Sequence, residues 1–398
     1  MIFIAILLAA LAVYLIQMLL YSRRVYDDLF YSVSLSAEEV FEGEDIFMYE
    51  ELVNAKNLPI PALRVDTELP QGLQFRVNDP KDRTHRRDLF EQYMQSAFVM
   101  KGRQKIRRRW RINCQRRGVY RLDTALMVTN DLFGFNVSSK SFTAAHSRHN
   151  QVVVLPRAID LEKHFTSSQY HSGEVMVFRS LISDPLLRSG TREYQPDDPM
   201  SRINWLSSAA HGRLMVNIEE FTQQHVFNIV LNMQSRSIEQ HAETPSSPEY
   251  IEMCITVAAS ILDKMSADNV EVRMFVNTPP ASVGMTALSD DELGARLTVT
   301  EPFCGKRDTL TALRILASLK MEISCPFDRM LDHIIACPQY YANAGNIVVV
   351  SAYIDERMIN FHAIMARQGV KVIFYVTTAN QNAIAIPDDV EVFYRIHR

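Results

Sequence analysis

Paired cysteines, catalytic signatures and a strong net charge are all missing from this sequence. Its five cysteines, Cys114, Cys254, Cys304, Cys325 and Cys337, are odd in number, far apart and never spaced Cys-x-x-Cys. That spacing excludes a disulfide framework and a cysteine zinc site, and leaves reduced, mostly buried thiols as the expectation. No Gly-x-Ser-x-Gly, His-Glu-x-x-His or glycine-rich phosphate loop occurs, so the common nucleophilic, zinc-hydrolytic and nucleotide-binding signatures are absent. The 11 histidines are scattered, with His164, His171, His211 and His225 forming no i, i+4 pair. A formal net charge of -4, from 42 Lys and Arg against 46 Asp and Glu, gives no global attraction to nucleic acid.

What is present begins with one uncharged apolar run, Ile2 to Tyr21, followed by Arg23 and Arg24. Twenty helical residues span roughly 30 Å, the thickness of a bilayer core. The basic residues follow the run, where a cleaved signal would carry them in front. By the positive-inside rule they hold the C-terminal flank in the cytoplasm. The expectation is a transmembrane anchor over 1–24, a single-pass location at the cell membrane and a cytoplasmic body.

At 398 residues, 47% hydrophobic, the chain is long enough for two folded domains. Residues 25–150 read as a β-sandwich: "YSVSLS" alternates, "DIFMYEELVN" and "ALRVDTELP" follow, and Pro70-Gln71-Gly72 is a turn. "TNDLFGFN" reads as a turn near its end. Residues 151–225 read as a linker carrying a dense signature segment, entered through "QVVVLPR". From 226 to 398 apolar strands alternate with amphipathic helices, from "HVFNIVLNM" to "VKVIFYVT" as a last central strand, which predicts a doubly wound, largely parallel sheet.

Within the sandwich, Lys101 to Arg121 holds ten Lys or Arg and no acid. Its core is Lys101, Arg103, Lys105, Arg107, Arg108, Arg109, Arg111, Arg116 and Arg117. Beside a membrane such a cluster suits anionic lipid headgroups or acids elsewhere in the chain. The aromatic residues a nucleic-acid stacking platform needs are limited here to Trp110 and Tyr120, which places nucleic acid behind lipid.

The signature segment "TREYQPDDPMSRINWLSSAAHGRLMV" reads as architecture more than as an active site. Asp197 and Asp198 follow Pro196 as a turn and N-cap for a helix, Ile203 and Trp205 anchor the segment in a core, and "RLMVNIEEF" forms an edge strand of the sheet.

Together these residues resemble the bacterial and archaeal domain-of-unknown-function fifty-eight family across nearly the whole chain. The resemblance rests on Arg192, Tyr194, Asp198, Arg202, Ile203, Trp205, Ser208, Ala209, Leu214 and Val216, on "RRGVYRLDTALMVTNDLFGF" and on the "VVVLPR" junction. The chain departs at Asp197, where glycine is usual, and at Ala210, where arginine is usual. The resemblance implies a C-terminal von Willebrand factor A-like domain and a MoxR-type AAA+ ATPase as partner, in chaperone-like maturation or assembly of other proteins. It also implies a Mg²⁺ position after the first sheet strand, built from Asp-x-Ser-x-Ser and later Thr and Asp residues. Here that stretch is "IVLNMQSRS": Asn232 replaces the acid, Gln234 and Arg236 the serines, and Ser351 is followed by Ala352 where an acid is expected. Ser235 and Ser237 in a shifted register, with Thr309, supply hydroxyls and no carboxylate. A hard divalent cation wants carboxylate oxygen. The expectation is therefore a degenerate metal site, no cofactor and a non-enzymatic interaction protein. The rival is a metal-dependent enzyme using Asp197, Asp198 and Asp355 at the same edge.

Overall fold

A computed structural model describes residues 25–76, 93–122, 124–130, 137–143, 149–167, 190–195, 203–218, 226–239, 244–278, 297–342, 344–378 and 386–396, with Phe3, Ile4, Ile6, Leu8, Ala9, Leu11, Ala12 and Tyr14. The chain divides into two compact units, Met1–Arg157 with Leu316–Ser318, and Ala158–Ile315 with Leu319–Arg398. The protein is mixed α and β, with five sheets among the described residues.

The first unit holds β1 (Leu29–Leu35), β2 (Glu39–Phe41), β3 (Asp45–Asn54), β4 (Ile60–Glu68), β5 (Leu73–Phe75), β6 (Tyr93–Met100), β7 (Gln104–Cys114), β8 (Gly118–Arg121), β9 (Thr124–Asn130), β10 (Val137–Thr143) and β11 (Gln151–Leu155). Sheets ordered β1-β3-β7-β5 and β10-β9-β4-β6 enclose a core, and a three-stranded sheet β2-β11-β8 adjoins them. The period-two pattern decides which residues meet: Ile46, Met48 and Leu52 of β3 and Met94, Phe98 and Met100 of β6 are buried, with outward residues between them. At Gly72, φ +108°, a side chain would strike the Tyr120 hydroxyl, which donates to the carbonyls of Arg116 (3.0 Å) and Arg117 (3.1 Å). Only glycine fits that turn.

The second unit holds α1 (Leu161–His164), β12 (Phe165–Ser167), β13 (Gly190–Glu193), α2 (Trp205–His211), β14 (Met215–Ile218), β15 (Val226–Leu231), α3 (Pro248–Ala267), β16 (Val272–Val276), β17 (Thr298–Val299), α4 (Lys306–Ser318), α5 (Phe327–Ala336), β18 (Ala344–Ser351), α6 (Glu356–Arg367), β19 (Lys371–Val376) and β20 (Glu391–Arg395). Seven strands form one sheet ordered β12-β20-β19-β18-β15-β16-β17. The pairs among β16, β15, β18, β19 and β20 are parallel, and the short edges β17 and β12 are antiparallel. Phe227–Leu231, Ile347–Val350 and Val372–Val376 are buried throughout, as strands covered on both faces must be. The order reverses beside β15, and in such sheets a crevice opens at the C-terminal strand ends there.

Four expectations change. The stretch 151–225 is not one linker: β11 pairs with β2 and β8 in the first unit, because Val152 and Val154 are buried there, while β12 joins the seven-stranded sheet. "RLMV" does not edge that sheet; β14 pairs with β13 in a separate two-stranded ribbon. The helix of the signature segment is capped not by Asp197 or Asp198, which lie outside the described residues, but by Asn204, whose side chain accepts from the Ser207 amide (3.0 Å). And β19 is not last, since β20 lies parallel beyond it. The apolar run from Ile2 to Tyr21 lies largely outside the described residues; among those described, no helix is long and apolar enough to cross a membrane. The "DLFGFN" turn between β9 and β10 also lies outside them.

Candidate functional site

Three strands deliver polar residues to one edge of the seven-stranded sheet: β15 leads to Asn232, β16 to Asn277 and β18 to Ser351 and Tyr353. Asn232 is fully buried. Its Nδ2 donates to Ser351 Oγ (3.0 Å), and its Oδ1 accepts from the Gln234 amide (2.9 Å) and from Asn277 Nδ2 (3.5 Å). Asn277 Oδ1 accepts from the Met233 amide (2.7 Å), and Nδ2 also reaches the Cys325 carbonyl (3.1 Å). Gln234 Oε1 accepts from the Phe327 amide (2.9 Å) at the start of α5 and from the Tyr353 hydroxyl (3.4 Å). That amide fixes the orientation of Gln234, because the flipped side chain would set donor against donor. Its Nε2 is buried without a hydrogen-bond partner among the described residues.

The side-chain oxygens of Asn232, Gln234, Asn277 and Ser351 are thus amide or hydroxyl oxygens already engaged by protein donors. A divalent ion sheds its water only for oxygens that repay the loss, usually with at least one or two carboxylates. These residues do not fit Mg²⁺. Among the described residues no group of three or more His, Cys, Asp or Glu is arranged to hold a metal ion.

Carboxylates flank the network, each held by local donors. Asp355 Oδ1 caps α6 by accepting from the Met358 amide (3.0 Å), and Oδ2 accepts from Ser237 Oγ (2.9 Å). Asp328 pairs with Arg357. Glu239, itself buried, accepts from the amides of Ser235 (2.8 Å), Arg236 (3.2 Å) and Ser246 (2.9 Å), and from the hydroxyls of Ser235 and Ser246. Burial opposes its charge, but the Ser246 and Ser235 donors outweigh that and hold the carboxyl below its usual range. Burial, then the nearby charges of Asp355, Asp328 and Glu239, push the Tyr353 hydroxyl up, so it stays a neutral donor.

Of the residues singled out by sequence, Asn232, Gln234 and Ser351 come together. Ser235 and Ser237 turn to Glu239 and Asp355. Thr309 lies in α4, its hydroxyl donating to the Gly305 carbonyl (3.0 Å). Sequence reading missed Asn277, Tyr353 and Glu239. The signal for Asn277 was its place directly after an apolar strand, matching Asn232.

In the signature segment, Ser208 Oγ donates to the Asn204 carbonyl (2.7 Å) and accepts from the Met215 amide (2.8 Å), tying α2 to β14. Ile203 is buried as expected, but Trp205 is 68% exposed and Leu206 86%, so Trp205 is not a core anchor. Ser208 is the residue of α2 that turns inward instead. Tyr194 donates its backbone amide to the Leu214 carbonyl (2.9 Å), Ala209 is exposed, Arg192 contributes backbone to β13, and Asp198 and Arg202 lie outside the described residues.

The basic cluster follows β7, with Lys105, Arg107 and Arg109 exposed on one face and Arg108 turned the other way; Arg117 is buried. Arg107 lies over Tyr49 (4.5 Å) and Arg109 over Phe47 (4.7 Å), cross-strand aromatics that the linear sequence did not set beside them.

No family model matches the chain, and no curated protein matches it. Among solved structures it is similar to native alpha-2-macroglobulin from Escherichia coli, at 8% identity over 32% of this chain and 23% of that one, TM-score 0.23. It is also similar to a non-cellulosomal cohesin from Archaeoglobus fulgidus, at 12% identity over 28% of this chain and 89% of that one, TM-score 0.20. The sporulation control protein Spo0M from Bacillus subtilis matches at 13% identity over 32% of this chain and 49% of that one, TM-score 0.17. The chain spans less than a quarter of that macroglobulin chain, which itself runs from domain MG7 to the C-terminus.

Proposed function

We propose that this chain is a membrane-anchored docking protein without catalytic activity, whose second unit is a von Willebrand factor A-like domain that engages a MoxR-type AAA+ ATPase. The observation that carries the reading is the neutral network at the sheet edge. Asn232, Gln234, Asn277 and Ser351 join three strand ends with amides and a hydroxyl where a cation would need carboxylates. Loops tied in this way are preorganised without an ion, which suits binding better than metal-assisted chemistry.

Two further features support it. The central β15 lies between parallel β16 and β18, with a short antiparallel β17 at one edge, as an A-like sheet requires. In the loop after β15, exposed Arg236 stands two residues from Ile238, which is 85% exposed, and arginine is among the residues enriched in binding hot spots. The apolar run and Arg23-Arg24 supply the anchor and a cytoplasmic body. The identity of the ATPase, and work in maturation or assembly of other proteins, rest on the family resemblance.

The test is a photo-crosslinking residue at position 238 of the full chain in native membranes. A MoxR-type ATPase in the adduct, lost with Arg236→Glu at unchanged thermal stability, is the expected result. An adduct without any ATPase contradicts it.

A further inference from the structure

The strand registers bring one end of the sandwich together from four segments. Leu29 pairs with Asn54 and Asn54 with Gln104; on the other sheet Ile60 pairs with Met100 and Val137 with Asn130. The turns 55–59 and 101–103 join the two sheets at that same end. It carries the two most exposed aliphatic side chains among the described sandwich residues, Val99 at 73% and Val137 at 68%, together with Phe30 at 59%. These exposed apolar residues lie on both sheets at one tip.

The chain enters β1 at this end. Residues after the apolar run are pinned there: Tyr26 donates its hydroxyl to the carbonyls of Ser138 (2.6 Å) and Met127 (3.1 Å), and the Lys56 ammonium donates to the carbonyls of Val25 and Asp27. Val25 is buried. Only Ser22, Arg23 and Arg24 separate it from the apolar run, and the four residue steps from Tyr21 to Val25 reach at most roughly 14 Å. A bilayer holding that run therefore lies against this tip.

Charge points the same way. From the tip, Arg103, Lys105, Arg107 and Arg109 climb the outer face of one sheet. Lys105 pairs with Glu51 (2.7 Å), and Arg111 (2.6 Å) and Arg76 (3.2 Å) share Asp45. Arg107 and Arg109 have no carboxylate within ion-pair distance among the described residues; each is stacked on an aromatic ring, which leaves its N–H edge for an acceptor. Phe30 and Val53 lie level with Lys105 across the sheet.

We propose that this end of the sandwich docks on the surface of a bilayer, with Phe30, Val99 and Val137 at the acyl boundary and Lys105, Arg107 and Arg109 on anionic headgroups. The inference rests on the anchor reading above. Basic residues next to a membrane are attracted to anionic lipid, and weakly amphipathic surfaces bind it by apolar insertion and charge together.

The test uses the full chain carrying Phe30→Trp, reconstituted in nanodiscs of brominated phosphatidylcholine with or without phosphatidylglycerol. The expected result is quenching of the new tryptophan beyond that of the parent chain, stronger with phosphatidylglycerol. It falls at least severalfold in the Lys105→Ala, Arg107→Ala, Arg109→Ala variant at unchanged thermal stability. Quenching no greater than in the parent, in a chain that co-elutes with the discs, overturns the docking while the anchor stands. A chain that elutes free of lipid overturns the anchor and the docking with it. Retention of a labelled oligodeoxynucleotide through the same three cations, with no response to phosphatidylglycerol, assigns the face to nucleic acid and overturns the proposal.

Discussion

Asn232 carries more of the sheet edge than its size suggests, because its amide offers a donor and an acceptor at a point where both are required. Ser351 Oγ takes its hydrogen, and Gln234 and Asn277 give theirs to its oxygen. Removing one partner strands the others in the interior, at about 1–3 kcal/mol for a buried group left unsatisfied. Asn232→Ala is therefore expected to lose about 1–3 kcal/mol in urea unfolding; a loss under a few tenths would show that the network contributes nothing. The cysteines give a second residue-scale expectation. Burial pushes the Cys114 and Cys254 thiols up to about 12, so they stay protonated at neutral pH, whereas Cys304 is exposed. Since the thiolate is the nucleophile, a thiol reagent should modify Cys304 first and reach Cys114 and Cys254 only on unfolding. Mass mapping of the early adduct checks this, and early labelling at Cys254 would contradict it.

Elements depend on a few such side chains. Ser208 joins α2 to β14, and Ser208→Ala should speed hydrogen exchange at the Met215 amide, which loses its acceptor, while leaving the seven-stranded sheet protected. Glu239 gathers the loop after β15. Its folded-state pKa lies below the ordinary carboxylate value, so its stabilisation is complete above about pH 4.3 and is lost as pH falls through the folded value. Parent and Glu239→Gln should therefore differ most at neutral pH and converge in acid; a gap that widens on acidification would reverse the sign. Periodicity made the elements legible. Alternation in "DIFMYEELVN" marked a half-buried strand, and apolar runs such as "NIVVVS" marked central ones. What stayed hidden was pairing. Nothing in the linear order sets Phe47 and Tyr49 under Arg109 and Arg107, or joins β11 to β2 and β8, because registers between distant strands are fixed by the packed sheet. The exposure of Trp205 was hidden for a related reason: an aromatic suggests a core, but the helix face that Ser208 occupies decides which side turns inward.

The whole molecule combines a sandwich unit whose entry end is apolar and basic with an α/β unit whose sheet edge holds an internally bonded network of amides and hydroxyls. The second unit's site was partly legible: Asn232, Gln234 and Ser351 were singled out from the resemblance, Asn232 in place of an acid and Gln234 in place of a serine, whereas Asn277 and Tyr353 reach the same point from strands whose order only the fold reveals. An ion that bound only the folded chain would raise its stability by mass action, by about 2.7 kcal/mol at one hundred times Kd. The most direct measurement is the melting temperature of the full chain across a Mg²⁺ titration, with the α/β unit followed separately by hydrogen exchange. An edge held by its own amides predicts no change in melting or in exchange around Asn232, beyond that produced by an equal ionic strength of a monovalent salt. A saturable rise with Mg²⁺, with protection gained at the ends of β15 and β18, would contradict the account and restore a metal-dependent reading of this edge.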